Sequence, residues 1–387
     1  IFLQKFLMFV SVNFCVVILR ETSAQWYKPT YMAPMYPLLQ IFGIISGLVL
    51  LLLLGLMPLV SIIGICIIGL IVYSFVGKNA TRTGVLTNYG HRPALFLFYK
   101  KEVTNENLSQ GSESPILDGN LASDAGTIVP LLGNENSPEM LVEIASALNT
   151  RSSVQAVNIT EVPNQTFLEA LNKDTPSVIS IARRLKRLSK RQSLSIDFES
   201  VVTHEVSNTV AELSNQTNCD WLIMGWNGRA HSGILVRNPL GWLLTNVNSN
   251  FALFKDNGIR NIGKIVMALR PGRKDKDFLS VAKRLCNFYG ASLTLLHIVT
   301  PDFPKQKARK MEQKSIELLA QLKIKSALKV VESNEPLDVI SKVSAEHDLL
   351  VLGSPEKDSW IDILLGGGRD KFTERSACSV LRLTIND

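Results

Sequence analysis

The sequence has almost none of the patterns that announce catalysis or a bound metal. Its five histidines, His91, His204, His231, His297 and His347, are widely separated and form no HExxH. No serine sits in a nucleophile elbow. The five cysteines, Cys15, Cys66, Cys219, Cys286 and Cys378, are scattered, with neither a CxxC pair nor metal-like spacing. They read as packing residues in a reducing compartment. The chain is therefore read as a non-enzyme with no metal centre.

Charge is the second absence. Leu38 to Phe75 is an almost unbroken apolar run, punctuated only by Gly55 and Pro58. At about 1.5 Å per helical residue it is too long for one crossing of a roughly 30 Å hydrocarbon core. Two helices joined by a tight turn near Gly55–Pro58 are expected. Ile1 to Leu19 adds a third candidate span, with Lys5 near one end able to snorkel to an interface. A signal peptide is the competing reading of that stretch. It requires an initiating methionine, a charged start and a small-residue cleavage site, whereas the chain opens at Ile1 and offers only Thr22-Ser23-Ala24. A truncated longer protein, with further helices upstream, is the expectation.

A mean hydropathy of +0.16 and 46% hydrophobic residues blend this apolar part with an ordinary polar remainder. Arg20, Lys28, Lys78, Arg82, Arg92, Lys100 and Lys101 flank the second and third spans, while the Gly55–Pro58 turn is uncharged. The positive-inside bias thus places the C-terminal portion in the cytoplasm, on a multi-pass inner-membrane protein whose partner is the lipid bilayer.

The net charge of +7 follows largely from those flanking residues. One exception is IARRLKRLSKRQ, with Arg183, Arg184, Lys186, Arg187, Lys190 and Arg191 around Leu185 and Leu188. It reads as a solvated helix face or as a basic amphipathic helix on anionic lipid. Nucleic acid is not an expected partner, since the run has no interleaved aromatics and no reader module accompanies it. Glu102 to Ala125, rich in Asn, Ser, Gly and acids, reads as a flexible linker.

After the linker the chain repeats itself. The first copy is expected to run strand Thr127–Leu132, helix Ser137–Leu148, strand Val154–Val162, helix Gln165–Leu188, strand Ile196–Thr203, helix Ser207–Gln216, and strands Trp221–Met224 and Phe251–Phe254. The second follows the same order: Lys264–Leu269, Asp277–Tyr289, Ser292–Val299, Lys305–Leu322, Ala327–Val331, Pro336–Ala345, Leu349–Leu352 and Ser379–Leu383. Alternating apolar strands and amphipathic helices predict two doubly wound α/β domains with parallel sheets.

Ala291–Pro301 (ASLTLLHIVTP), His347–Asp358 (HDLLVLGSPEKD) and Trp221–Arg229 (WLIMGWNGR) resemble the second and fourth strands of the universal stress protein family. The resemblance covers most of Gly126 to Asp387 as two tandem modules. It implies pairing through edge strands, hence an internal pseudo-dimer. Many family members bind ATP through Gly, two residues, Gly, nine residues, Gly, then Ser or Thr, where glycines admit phosphate to backbone N–H groups at a helix start. Both copies depart from the pattern. Gly225 and Gly228 keep the first separation, but Asn238 replaces the third glycine and Gly241 arrives three residues late. Gly353 and Gly366 keep their spacing, yet Glu356 replaces the middle glycine and Gly367 the hydroxyl residue. The family's acidic residue near the adenine is absent, its place falling at Leu132 and near Leu269–Arg270. Gly225, Gly228, Gly241, Gly353 and Gly366 are therefore the candidate cofactor-binding residues, for ATP or another adenine nucleotide, on degenerate loops. An ATP-independent regulatory or dimerising module is the favoured reading. His297, in mid-strand without evident partners, is expected to be structural, and Glu346 and Asp348 to lie at the surface.

The N-terminal part carries its own resemblance. Leu19-Arg20, Trp26-Tyr27-Lys28-Pro29 and Pro34-Met35-Tyr36-Pro37 are similar to the closing portion of an amino acid–polyamine–organocation (APC) superfamily permease. Read physically, Trp26, Tyr27, Tyr31 and Tyr36 form an interfacial aromatic set, and Pro34 and Pro37 keep the loop from becoming helical. The resemblance implies the last three helices of an inverted-repeat transporter whose substrate site lies on earlier helices.

The expected architecture is thus a membrane α-helical segment of three transmembrane helices (1–77), a juxtamembrane segment and linker (78–125), and two tandem universal-stress-protein-like α/β domains (126–257 and 258–387). The expected function is the C-terminal part of an amino acid permease with a cytoplasmic regulatory tandem. A non-transporting membrane-anchored sensor is the alternative.

Overall fold

The computed structural model describes residues 2–22, 27, 30–31, 35–77, 125–133, 135–151, 153–163, 165–168, 175–226, 243, 247–269, 274–353 and 370–385. Its contacts fall into two units, one centred on the N-terminal helices and one holding the α/β module. Each is taken by itself.

In the first unit, Phe2–Thr22 forms α1, Leu38–Leu53 forms α2 and Leu56–Val72 forms α3, which runs on into a π turn at Tyr73–Gly77. Gly55 makes the break between α2 and α3, with φ of 99° and ψ of 177° that a β-carbon would resist. Pro58 falls in the first turn of α3, where its missing N–H has no bond to lose. At about 1.5 Å per residue, the 16 residues of α2 and 17 of α3 reach about 24 and 26 Å. Among the described residues no helix is long and apolar enough to cross a membrane. Hydropathy alone predicts three crossings with a turn near Gly55–Pro58; the structure places that turn at Gly55, which ends α2 at 16 residues.

Helices α1 and α2 approach closely because the contact is made by glycines. Gly43 and Gly47, one turn apart, are buried. A β-carbon on Gly47 would lie 2.5 Å from Val10 Cγ2, and one on Gly43 would lie 3.1 Å from Asn13 Cγ. The Arg20 guanidinium stands 4.8 Å over the Tyr36 ring. Elsewhere these helices present apolar side chains outward. Among the described residues, all but four of the exposed large hydrophobics lie between Leu7 and Phe75.

The second unit is built on one ten-stranded sheet. Its first half contains β1 (Ala125–Leu131), α4 (Pro138–Leu148), β2 (Ser153–Glu161), α5 (Pro176–Gln192), β3 (Ile196–Thr203), α6 (Val206–Thr217), β4 (Trp221–Gly225) and β5 (Asn250–Lys255). The second contains β6 (Lys264–Ala268), α7 (Asp275–Tyr289), β7 (Ser292–Val299), α8 (Lys305–Leu322), β8 (Ser326–Glu332), α9 (Pro336–Ser344), β9 (Leu349–Gly353), α10 (Lys371–Arg375) and β10 (Ser379–Thr384). The spatial order is β3-β2-β1-β4-β5-β10-β9-β6-β7-β8.

Within the first half, β1 pairs in parallel with β2 and β4, and β4 with β5. In the second, β6 pairs in parallel with β7 and β9, β7 with β8, and β9 with β10. Central strands such as β1 are buried along their whole length, as parallel strands covered on both faces must be. The halves meet at β5 and β10, which run antiparallel, with Leu381 opposite Phe254 and Leu383 opposite Ala252.

The expected helix from Gln165 to Leu188 begins later and ends later. Thr175 caps it by accepting from the Val178 N–H, and Pro176 takes the first helical position, which suits its fixed φ and missing donor. A proline there cannot stand mid-helix without breaking it. The five-residue α10 carries no periodic signal and was not expected from sequence.

Helices cover both faces. On one, α5 lies against α4, α4 against α7 and α7 against α8. Beneath them a single apolar core takes in residues of both halves, including Leu131, Leu148, Leu185, Phe254, Ile265, Leu285, Leu319 and Leu381. The opposite face is covered by α6 over one smaller core and by α9 with the Phe372 ring over another.

Candidate functional site

In each half the chain leaves its first strand in one direction and returns on the other side, so β1 and β4, and likewise β6 and β9, flank a crevice at their C-terminal ends. Such switch points are where open α/β sheets bind ligands. Gly225 ends β4 and Gly353 ends β9, each beside such a switch point. Gly228, Gly241 and Gly366, together with Asn238, Glu356 and Gly367, lie outside the described residues.

The first crevice is occupied by the protein's own carboxylate. Glu135 accepts from the Leu132 N–H at 2.5 Å through Oε1 and from the Gly133 N–H at 2.9 Å through Oε2. Gly133 has φ of 77°, and the turn it makes aims both donors at one point. A β-carbon on Gly225 would stand 3.1 Å from Glu135 Cγ. Two backbone donors at the end of the first strand, suited to an anion, are thus already bound to one.

The second crevice is filled by apolar side chains and closed by a buried ion pair. A β-carbon on Gly353 would meet the Phe278 ring at 3.2 Å and Leu269 Cδ2 at 3.6 Å. The Gly353 carbonyl accepts from Arg382 Nη1 at 3.0 Å, and Arg382 Nη2 lies 2.9 Å from Asp370 Oδ2. Both members of the pair are almost fully buried. Burial pushes the Arg382 guanidinium below its ordinary range, and the charge of Asp370 opposes that.

Among the described residues, each crevice already holds side chains of the protein where an adenine nucleotide would have to enter. Any further anion brought to the two N–H groups at the end of β1 would face the Glu135 carboxylate already on them, a like-charge arrangement. At the second crevice, the Phe278 ring fills the space beside Gly353 that close backbone approach requires.

His297 stands behind the second crevice. Its Nδ1 is 3.0 Å from the Leu269 carbonyl, a geometry in which Nδ1–H donates, and Nε2 is 2.9 Å from Ser315 Oγ. Burial, only partly opposed by the Leu269 carbonyl, holds its pKa below the usual histidine value. Asp348 lies at the partly exposed surface, as expected, and there its Oδ2 accepts from the Gly263 and Lys264 N–H groups, each at 2.8 Å, and pins the start of β6. Burial pushes the Cys286 thiol up to about 11, which suits packing rather than reactivity. Among the described residues no group of His, Cys, Asp or Glu side chains could hold a metal ion.

Glu135, Phe278 and the Arg382–Asp370 pair were missed by sequence reasoning. Only Glu135 left a local signal, an acid shortly after a glycine turn that follows an apolar strand.

No family model matches the chain, and no curated protein matches it. Its fold is similar to that of a universal stress protein from Archaeoglobus fulgidus at 15% identity, covering 68% of this chain and 97% of that one with a TM-score of 0.47. It is also similar to a putative universal stress protein from Pseudomonas aeruginosa at 12% identity, covering 68% and 94% with a TM-score of 0.44. A third likeness is to the cytoplasmic domain of a prokaryotic cation chloride cotransporter, at 13% identity, 68% and 96% coverage and a TM-score of 0.44. What the chain's own structure shows is an α/β unit with a mostly parallel sheet. At these identities and scores the likeness assigns no ligand, activity or partner.

Proposed function

We propose that residues 1–77 are the closing helices of an amino acid permease-type secondary transporter, and that the tandem module is its cytoplasmic, non-enzymatic regulatory domain. The observation that carries the membrane reading is the contact of Gly43 and Gly47 with Asn13 and Val10. Where lipid surrounds the helices there is no hydrophobic drive to associate, and small residues one turn apart let backbones pack instead. The outward apolar side chains of α1–α3 support the same reading, since a contiguous exposed apolar surface marks a membrane or protein contact. The residues before α2 and the proline-aromatic turn favour permease descent over a simple tether.

Two results test this. Alkaline carbonate washing of membranes from expressing cells is expected to leave the chain in the pellet; release into the supernatant removes the membrane reading. In cells carrying the natural locus, Gly47→Leu drives a side chain into Val10 and is expected to lower amino acid uptake at least tenfold. Unchanged uptake, with the variant still in the membrane, favours the anchored sensor.

The regulatory module acts without nucleotide in this reading, because Glu135 and Phe278 occupy both crevices. Its antiparallel β5–β10 junction serves as the internal counterpart of a dimer contact. Titration of the detergent-solubilised chain with ATP, ADP and AMP is expected to give no saturable heat up to millimolar concentration. Saturable heat from the unmodified chain would reinstate nucleotide sensing.

A further inference from the structure

The two halves repeat a charged device that the crevices do not use. Helices α5 and α8 occupy equivalent places, the crossovers from β2 to β3 and from β7 to β8. They end alike, at Ser193 and Lys323, each left-handed with φ of 55°. Each sends one base to an acid in the first turn of the inner helix beside it. Arg184 pairs with Glu139 of α4, and Lys314 pairs with Asp275 of α7 at 3.1 Å.

What those pairs leave over is large. α5 contains six basic residues and no acid, and α8 contains five basic residues and two acids. Arg183, Lys186, Arg187, Lys190 and Arg191 are all exposed, as are Lys305, Lys307, Arg309 and Lys310. None of these nine pairs with a carboxylate among the described residues. On α5 the exposed bases lie opposite buried Val178, Leu185 and Leu188, so they form one continuous stripe. The opposite face of the sheet has no such stripe: α6 contains one acid and no base, and α9 one of each.

An apolar feature accompanies the charge. Beyond Phe75, only four large hydrophobic side chains are exposed among the described residues, and two of them are Ile179 on α5, 46% exposed, and Ile316 on α8, 53% exposed. On α8 the four free bases all fall within its first six residues, Lys305 to Lys310, and form a cluster at one end. Because α5, α4, α7 and α8 lie side by side, at about 8–10 Å per helix the axes of α5 and α8 stand roughly 25–30 Å apart on one face.

We propose that this α5-α4-α7-α8 face docks on the anionic headgroups of the bilayer. A basic stripe on α5 and a separate basic cluster on α8 suit an extended negative surface rather than a single small anion. Exposed Ile179, one turn before the α5 stripe, and Ile316, nearly two turns beyond the α8 cluster, suit the headgroup boundary, where basic side chains meet phosphate and a short apolar group reaches inward. Stacking on single-stranded nucleic acid would call for aromatic platforms, and the exposed apolar groups here are aliphatic. The inference rests on the membrane reading above: helices held in lipid keep the module at an effective concentration of order millimolar, so weak contacts suffice.

The test uses the full chain in nanodiscs of phosphatidylcholine alone or mixed with phosphatidylglycerol, with lysine acetylation rates read by mass spectrometry. Labelling of Lys186, Lys190, Lys305 and Lys310 is expected to fall about threefold or more in the anionic discs and to recover at about 0.5 M salt, where screening shortens to a few ångströms. Lys342 and Lys371, exposed on α9 and α10, should label equally in both discs. In the Arg183→Glu, Lys190→Glu variant, the protection of Lys186 should disappear while thermal unfolding is unchanged. Equal labelling of the stripe and the cluster in both discs overturns this inference and leaves the membrane reading standing. Failure of the chain to co-fractionate with either disc removes both. Protection by added RNA but not by anionic lipid also overturns the proposal and makes the face a nucleic-acid surface.

Discussion

Replacing Asp370 with alanine is expected to destabilise the α/β module by about 3–5 kcal/mol, because it leaves the Arg382 charge buried and unpaired. Asp370 is 1% exposed and Arg382 is 6% exposed, so water cannot take the lost partner's place. The carboxylate also accepts from the Phe372 N–H at 3.1 Å and the Thr373 hydroxyl at 2.8 Å, and those donors would be stranded too. Denaturant unfolding of the detergent-solubilised chain, followed by circular dichroism, measures the loss. Removing both charges distinguishes the cause. Asp370→Leu with Arg382→Met is expected to recover most of the stability, since a buried pair is often replaceable by apolar groups of similar volume. If the double variant is as unstable as the single one, Asp370 acts as the cap of α10 and not through Arg382.

Much of the module was legible because its strands are buried on both faces. A run such as Trp221–Met224 has no other place in a water-soluble unit, and amphipathic stretches between such runs fix the crossovers. The helix start at Pro176 was written in the sequence as Thr175-Pro176, a cap followed by a residue that opens helices. Extending the helix back to Gln165 gave apolar periodicity more weight than that signal. Gly55 reads as punctuation in the sequence, but only its positive φ shows that the break falls there, before Pro58, and ends α2.

The crevices were harder to read for a physical reason. Glycine spacing reports where a backbone could accept a ligand, and says nothing of what the rest of the chain brings there. Glu135 reaches Gly225 only because β1 and β4 are neighbours in the sheet, and Phe278 reaches Gly353 through the placement of α7 beside β9. The Arg382–Asp370 pair joins β10 to the start of α10, two elements whose proximity no periodicity encodes. Charge on α5 was plain in the sequence. Its repetition on α8, on the same face and with an equivalent ion pair, required the fold.

The β5–β10 junction carries the second large effect, a cooperative loss of both halves from one substitution. Leu381 is fully buried, faces Phe254 across the junction, and belongs to a core that takes in residues of both halves. Other bonds cross nearby: Arg284 donates to the Leu148 carbonyl at 2.8 Å, Lys255 to the Thr373 carbonyl at 2.9 Å, and the Asn257 side chain to the Cys378 carbonyl at 2.8 Å. A sheet and core continuous across the junction should unfold as one body. Leu381→Ala, a large-to-small change in that core, is expected to cost about 2–5 kcal/mol. By the conversion of 1.36 kcal/mol per decade, global amide exchange should accelerate roughly 30-fold or more. The informative comparison is between peptides covering β1 and β6, one from each half. Acceleration by the same factor in both means that the halves share a single unfolding transition and that neither stands without the other. Acceleration confined to β6 would mean two independently folding halves, with the junction a surface contact at which the module could open between β5 and β10.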